Sequence, residues 1–503
     1  MRQNKAINKT DILRIGIIGS GFSGVSCFVN IIDIFLSENI QRKIEITLFD
    51  KNIVNGRGLA YSTHCAAHLL NTPSDTVGIL PNRKDDFKKW LWSKLKEGFF
   101  TGCNIDPQHP PREIYGQYVE EMFELYVQKA ASLGINTHKK KQEVTEIFSA
   151  NHEYIINTKE NSSLTFNYII LAVGGFHSAK LDFLKSFNGY ITSPYDNEFN
   201  SKVAQMNDVL IIGTRLSCVD SILALEENGH KGKIMCVSES GLFPRVIGGY
   251  GSKKRLFITD EFIEKSGTIS VADVFNAIGK EFFLQEGFEL NFKDLFKIGH
   301  SPQKILRYEV IKTRKKRSWQ ESLYDTNNIL NKIWHKLDMK SKNKIFRKYL
   351  KFFLIYRAAM PRRSACKLLR LFEERRLFLY KKPVEFSFHD DFFMASLSDG
   401  SILKAKNIID ATGLSYSIYS SDSNLAKNII NSELFTLNQW GGLSVSTETY
   451  QSINKEGSPS SGLFVVGGAV FGTDLVTNSI EYIVECALKV AQTITTDIKR
   501  DAS

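Results

Sequence analysis

Six residues near the start of the chain, Gly19-Ser20-Gly21-Phe22-Ser23-Gly24, have the types and spacing to hold a phosphate. In such a run the first glycine permits a tight turn and the second lets the backbone approach a pyrophosphate. The third lets a helix pack closely on a strand, while N–H groups at the helix start face the negative charge. The elements needed to present them are legible on either side. Residues 13–18 (LRIGII) are an apolar run of strand length, 25–36 read as an apolar helix, and 44–49 (IEITLF) read as a second strand ending at Asp50-Lys51. An acid there can accept hydrogen bonds from a ribose diol. A lone GxGxxG is weak evidence; flanked by two strands with an acid after the second, it specifies a dinucleotide-binding βαβ unit.

An altered copy follows. Residues 209–212 read as a strand, then come Gly213-Thr214-Arg215-Leu216-Ser217, a helix to Glu227, and a strand over 233–237 ending at Ser238-Glu239. The repeated plan predicts a second dinucleotide-binding domain. Arg215 stands where the central glycine belongs, so its side chain either obstructs a pyrophosphate or hydrogen-bonds to it. Glu239 suits a ribose 2′-hydroxyl and repels a 2′-phosphate.

Several loops have the composition of ligand-facing turns. Gly58-Leu59-Ala60-Tyr61 and His68-Leu69-Leu70-Asn71-Thr72-Pro73 suggest backbone passing close to something flat or crowded. Residues 168–173 (YIILAV) run into Gly174-Gly175, 407–410 into Ala411-Thr412-Gly413, and 463–466 into Gly467-Gly468 before a last helix at about 476–494. Pro110-Pro111-Arg112 opens a helix with Tyr115, Tyr118, Phe123 and Tyr126, a stripe that reads as core. Arg357, inside FFLIYRAAMP, implies a buried anionic partner or a snorkelling side chain.

At 503 residues two or three domains are expected. No run approaches the ~18 apolar residues that cross a bilayer, and 1–11 lack an apolar signal core, which points to the cytoplasm. The seven cysteines are odd in number and form no CxxC, so neither a disulfide framework nor a metal knuckle is suggested. Part of the net charge of +11 is local: residues 312–348 hold twelve Lys or Arg against three Asp or Glu. A solvated helical face is the first explanation and attraction of acidic substrates the second. Nucleic acid is a poor third, because no recognition motif accompanies the charge.

Two βαβ units, the Ala-Thr-Gly strand end and the closing strand with Gly-Gly together resemble the flavoproteins with two dinucleotide-binding domains. Within that group the chain is similar to the FAD/NAD(P)-binding YdhS-type family. The resemblance rests on 19–24, 58–61, 68–73, Pro111-Arg112-Glu113-Ile114-Tyr115-Gly116, 213–220, 229–232, 241–244 and Gly441-Gly442-Leu443. It implies an α/β fold of two Rossmann-like domains with the FAD domain discontinuous: 1–200, then 201–400 for NAD(P)H with a basic helical insertion at 255–380, then 401–503. FAD would be held by the first unit, with Asp50 on the adenosine ribose and Asn71 beside the flavin's reactive face. Gly467-Gly468 stands where many relatives have Gly-Asp, which leaves Asp474 to supply the acid. The family is similar to flavin-dependent N-hydroxylating monooxygenases, in which a reduced nicotinamide reduces FAD and O2 is then used to hydroxylate a bound amine. Those relatives imply a small amino-bearing substrate, an acidic one given Arg357 and the basic surplus. Arg215 and Glu239 make NADH fit better than NADPH. An FAD dehydrogenase or oxidase without oxygenation, and a flavin-binding protein with a degenerate nicotinamide site, are the rival readings.

Overall fold

The computed structural model describes residues 12–502 apart from 53, 101–104, 196–198, 200–201, 203–206, 250–253, 292–299 and 416. The lead-in 1–11 and much of the expected linker at 191–207 therefore lie outside the described residues. The chain divides into two compact units: Met1–Ser62, Ser74–Ala179 and Leu414–Ser503 form one, Thr63–Pro73 and Lys180–Gly413 the other.

The first unit is built on a six-stranded sheet. Its order is Gln451–Ile453, Pro459–Val465, Tyr168–Leu171, Leu13–Ile18, Ile44–Asp50, Asn136–Lys141, all parallel except the Gln451–Ile453 edge. Leu13, Ile15, Ile17 and Ile18 are buried, because a parallel sheet covered on both faces demands continuous apolar sequence rather than alternation. The helix Phe22–Ser37 follows the first strand, and the closing helix Ile480–Ala502 packs along it. Tyr115, Tyr118, Phe123 and Tyr126 on the helix Arg112–Ser132 are all buried, so that stripe is core as read.

The second unit repeats the plan. Its parallel sheet runs Leu377–Lys381, Ile234–Ser238, Val209–Ile212, Asn407–Asp410, Tyr190–Ile191. Between the strands Ile234–Ser238 and Leu377–Lys381 the chain makes the expected helical insertion, from Asp260–Lys265 to Arg362–Glu373.

The two units do not divide at the expected 1–200, 201–400 and 401–503. The strand Tyr190–Ile191 pairs with Asn407–Asp410, which pairs with Val209–Ile212, so 180–200 and 401–413 go to the second unit. The segment Thr63–Pro73 joins that unit too.

Register explains the glycines. Ile18 pairs with both Phe49 and Leu171, so three strand ends stop at one level, and the chain must turn there. Gly19 has φ +95°, and a Cβ on it would lie 2.5 Å from the Ala172 carbonyl oxygen. A Cβ on Gly24 would lie 1.9 Å from the Gly19 carbonyl oxygen. By contrast Gly279, inside the helix Val271–Glu286, has nothing within 4 Å of its Cβ position. Gly24→Ala should lower the unfolding free energy by about 3 kcal/mol or abolish folding. Gly279→Ala should raise it by about 0.5–1 kcal/mol. Urea denaturation of both variants checks the pair, and equal effects would contradict the packing account.

Candidate functional site

The glycine turn of the first unit forms a cradle. Gly21 caps the helix Phe22–Ser37 in an extended conformation, and no side chain caps the first turn, leaving its N–H groups for a ligand. Gly58, at φ +59°, packs on it: a Cβ there would be 3.1 Å from Gly21 Cα. Opposite, Gly467 has φ +76° and a Cβ on it would be 2.8 Å from Ser23 Oγ, while one on Gly468 would be 2.0 Å from the Gly174 carbonyl oxygen. Backbone thus meets the turn at Gly58, and a residue without a side chain faces Ser23, the close approach that a pyrophosphate cradle requires.

Asp50 is tied to this turn. Its Oδ2 accepts from Ser20 N at 2.9 Å and Ser20 Oγ at 3.1 Å, and its Oδ1 accepts from Asn52 N at 2.9 Å. The half-buried carboxyl keeps further lone pairs for a diol. Lys51 beside it is exposed. Behind the loop, Phe22, Tyr61 and Tyr115 form an aromatic wall with centroids 4.9–6.2 Å apart. Burial pushes the Tyr61 hydroxyl up to about 12, with Arg112 opposing and Glu481 adding to the rise, so Tyr61 is neutral across the physiological range. Burial raises Tyr115 as well.

Two findings revise the acid expected after the closing strand. Asp474 is fully buried and accepts hydrogen bonds from the hydroxyls of Tyr450 (2.9 Å) and Tyr482. It is a core group, not a replacement for the missing Gly-Asp acid. Glu481, in the first turn of the closing helix, has its Oε2 buried with no hydrogen-bond partner among the described residues, and its field reaches both Tyr61 and Tyr115. A buried carboxyl oxygen without a partner among the described residues, within electrostatic reach of Tyr61 and Tyr115, is what a hydroxyl-bearing dinucleotide would satisfy. In sequence it is merely one acid at a helix start.

In the second unit, His68 is buried, with Nδ1 2.6 Å from Thr63 Oγ1 and Nε2 3.0 Å from the Asp220 carbonyl oxygen. Its ring is engaged on both nitrogens and fixes the loop rather than offering a donor to a cofactor. Leu70 and Pro73 are buried; Asn71 and Thr72 are half-buried.

The second glycine turn copies the first in backbone. Gly213 has φ +109°, and a Cβ on it would meet the Ala411 carbonyl oxygen at 2.4 Å. Arg215 takes the cap position with φ −92°, ψ −160°, a conformation open to any residue, and its side chain is exposed. No backbone strain opposes the arginine; only ligand space is affected. Ile212 pairs with Val237 as Ile18 pairs with Phe49, which places Ser238, not Glu239, at the position of Asp50. Thr214 Oγ1 lies 2.7 Å from Ser238 Oγ and donates to the Leu242 carbonyl at 2.9 Å, the counterpart of the Ser20–Asp50 tie. Glu239 is one residue further on and exposed. Thr412 donates from N and Oγ1 to Asp410 Oδ1 (3.0 and 2.6 Å), and Gly413 turns at φ +76° with Ser217 Oγ 3.9 Å from its Cβ position. Both therefore serve the second turn, not the first.

Arg357 ends the helix Leu350–Arg357, and its Nε and Nη2 are buried without a partner among the described residues. Arg245, which no motif in the sequence marks, is 2% exposed and lies 5.5 Å from the Tyr356 ring; its backbone braces the same helix end through Ile355 and Met360. A polar cleft of about 800 Å³ lined by Thr145, Asn157, Asn424 and Lys427 shares no residue with either turn. Among the described residues no group of His, Cys, Asp or Glu could hold a metal.

Residues 16–176, which contain the first glycine turn and Asp50, match the model of a family described as FAD-NAD(P)-binding. No curated protein matches the chain. Among solved structures, the cadaverine monooxygenase DfoA of Erwinia amylovora bound to FAD superposes with TM-score 0.56 at 11% identity over 97% of this chain and 95% of its own. The ornithine hydroxylase PvdA of Pseudomonas aeruginosa gives 0.52 at 10% over 98% and 100%. The bacillithiol disulfide reductase of Staphylococcus aureus gives 0.49 at 12% over 97% and 99%. The chain shares the fold of the cadaverine monooxygenase and the ornithine hydroxylase, and its first unit carries an FAD-NAD(P)-binding domain.

Proposed function

We propose that the protein is an FAD-dependent oxidoreductase of the YdhS-type group that uses a reduced nicotinamide and O2 to N-oxygenate a small, amino-bearing, anionic metabolite in the cytoplasm. The observation that carries the FAD part is the cradle: glycines at the points where a Cβ would strike a neighbour, uncapped helix N–H groups, and the unpartnered Glu481 carboxyl oxygen within electrostatic reach of Tyr61 and Tyr115. Full-length likeness to two amine hydroxylases supports the oxygenation part. The absence of a CxxC motif speaks against disulfide exchange.

Bound FAD supplies the hydride and oxygen chemistry, and the chain supplies placement. The first-turn N–H groups at Gly21 and Phe22 hold the pyrophosphate. Asp50 accepts from the ribose diol and Glu481 from another cofactor hydroxyl. Tyr61 and Tyr115, held neutral, wall off the cradle without adding charge. Arg357, whose Nε and Nη2 are buried without a partner among the described residues, pairs with a substrate carboxylate. A neutral substrate amine is the nucleophile, so no catalytic base is assigned.

Arg215 and Ser238 favour one alternative, a flavin protein whose nicotinamide site is altered. In the leading reading NADH is the reductant, because the exposed carboxylate of Glu239, one residue past the position equivalent to Asp50, still disfavours a nearby 2′-phosphate.

The purified chain should be yellow and oxidise NADH with a matching yield of hydroxylated amine, and Arg357→Gln should raise KM for anionic amines by about 100-fold with FAD content unchanged. Peroxide as the sole product across candidate amines would sink the oxygenase reading. Glu481→Ala should weaken FAD binding to the apoprotein about tenfold, read by flavin fluorescence; an unchanged Kd would remove Glu481 from the site. Arg215→Gly should tighten nicotinamide binding severalfold if the side chain obstructs, whereas weaker binding would show that it holds the pyrophosphate.

A further inference from the structure

Apart from Arg357, the basic insertion has no part in the chemistry above. From Met339 to Phe372 there is no acidic residue, against eleven Lys or Arg. Residues 339–357 form one helical run: Met339–Lys344, a π turn Ile345–Tyr349, and Leu350–Arg357. Its exposed residues are Met339, Lys340, Asn343, Lys344, Arg347, Lys348 and Lys351. That spacing is a single face, and Lys340 to Lys351 covers about 17 Å of axis at ~1.5 Å per residue.

None of these five cations has an ion pair among the described residues. Elsewhere in the insertion lysines do: Lys332 with Asp260 at 2.8 Å, Lys265 with Glu261 at 2.5 Å. The stripe also sets like charges four apart, at 340/344, 344/348 and 347/351, an arrangement that destabilises an isolated helix. An anionic partner relieves it.

Apolar surface lies on the neighbouring helix. Val271–Glu286 runs alongside, with Val271 N donating to Ser341 Oγ at 2.8 Å and the Phe275 ring 4.9 Å from that of Tyr349. At its far end Phe283, Leu284 and Phe288 are 52%, 51% and 59% exposed, and Met339 is 52% exposed. Exposed apolar side chains on one helix and unpaired lysines on the next match the boundary between lipid headgroups and acyl chains. Nucleic acid fits less well, since four of the five cations are lysine point charges and no exposed aromatic lies on the stripe for base stacking.

We propose that the helical face carrying Lys340, Lys344, Arg347, Lys348 and Lys351 docks on anionic phospholipid surfaces, with Phe283, Leu284 and Phe288 as apolar anchors. The association is peripheral: among the described residues no helix is long and apolar enough to cross a membrane.

Flotation of the full chain with phosphatidylcholine vesicles, with and without 30% phosphatidylglycerol, tests it. Binding should require phosphatidylglycerol at 0.1 M NaCl and be lost at 0.5 M, because screening shortens the reach of surface charge. Lys344→Gln with Lys348→Gln should weaken partitioning about 25-fold, about fivefold per cation. Lys265→Gln with Lys332→Gln, which removes equal charge, should change it less than twofold. Circular dichroism confirms that each variant is folded. No flotation at 0.1 M NaCl, or equal losses in both double variants, overturns the proposal. So does a short single-stranded RNA that binds through the same lysines while anionic vesicles do not.

Discussion

Everything in this molecule hangs on a crowding constraint repeated at two turns. Where parallel strands end level, the chain leaving the central one must cross the carbonyl of its neighbour at van der Waals distance. Gly19 does so against Ala172 and Gly213 against Ala411, with Cβ positions 2.5 and 2.4 Å from oxygen. No other residue fits either place, so the turn, the helix start and its outward N–H groups follow as one block. Ser20 tied to Asp50, and Thr214 tied to Ser238, then fix each turn to the next strand end.

Two copies of one scaffold let their differences be read chemically. The steric glycine is kept in both, because losing it would cost the fold. The central glycine is kept in the first and is arginine in the second, because its backbone is extended and only a ligand needs its missing side chain. Fold and binding therefore impose separate demands on residues two apart. The second turn meets the first demand fully and the other on its own terms.

Much of this was legible in the sequence. The glycine spacing, apolar strands and Asp50 report local geometry, and local geometry is what sequence encodes directly. The segment Asn407–Asp410 was misplaced because an apolar strand ending in Ala-Thr-Gly serves either sheet equally well; only pairing with Val209–Ile212 decides. Glu239 was misjudged by one residue for the same reason, since register is a property of two strands. His68 and Asp474 read as ligand-facing and are buried in polar contacts with Thr63, Asp220, Tyr450 and Tyr482, partners remote in sequence or unremarkable by type. Glu481 was invisible because what marks it is a missing partner, and a sequence cannot show one.

The first sheet also carries a consequence for synthesis. Tyr168–Leu171 is paired on one side by Leu13–Ile18 and on the other by Pro459–Val465, which leaves the ribosome only after the whole second unit has been made. Until then the nascent first unit holds an unsatisfied parallel edge of Tyr, Ile, Ile and Leu, the kind of template that captures other chains. The cradle lacks Gly467 and Gly468 for the same interval. A nascent chain therefore cannot complete its glycine cradle early, and its vulnerable period lasts until the segment Leu414–Ser503 has been made.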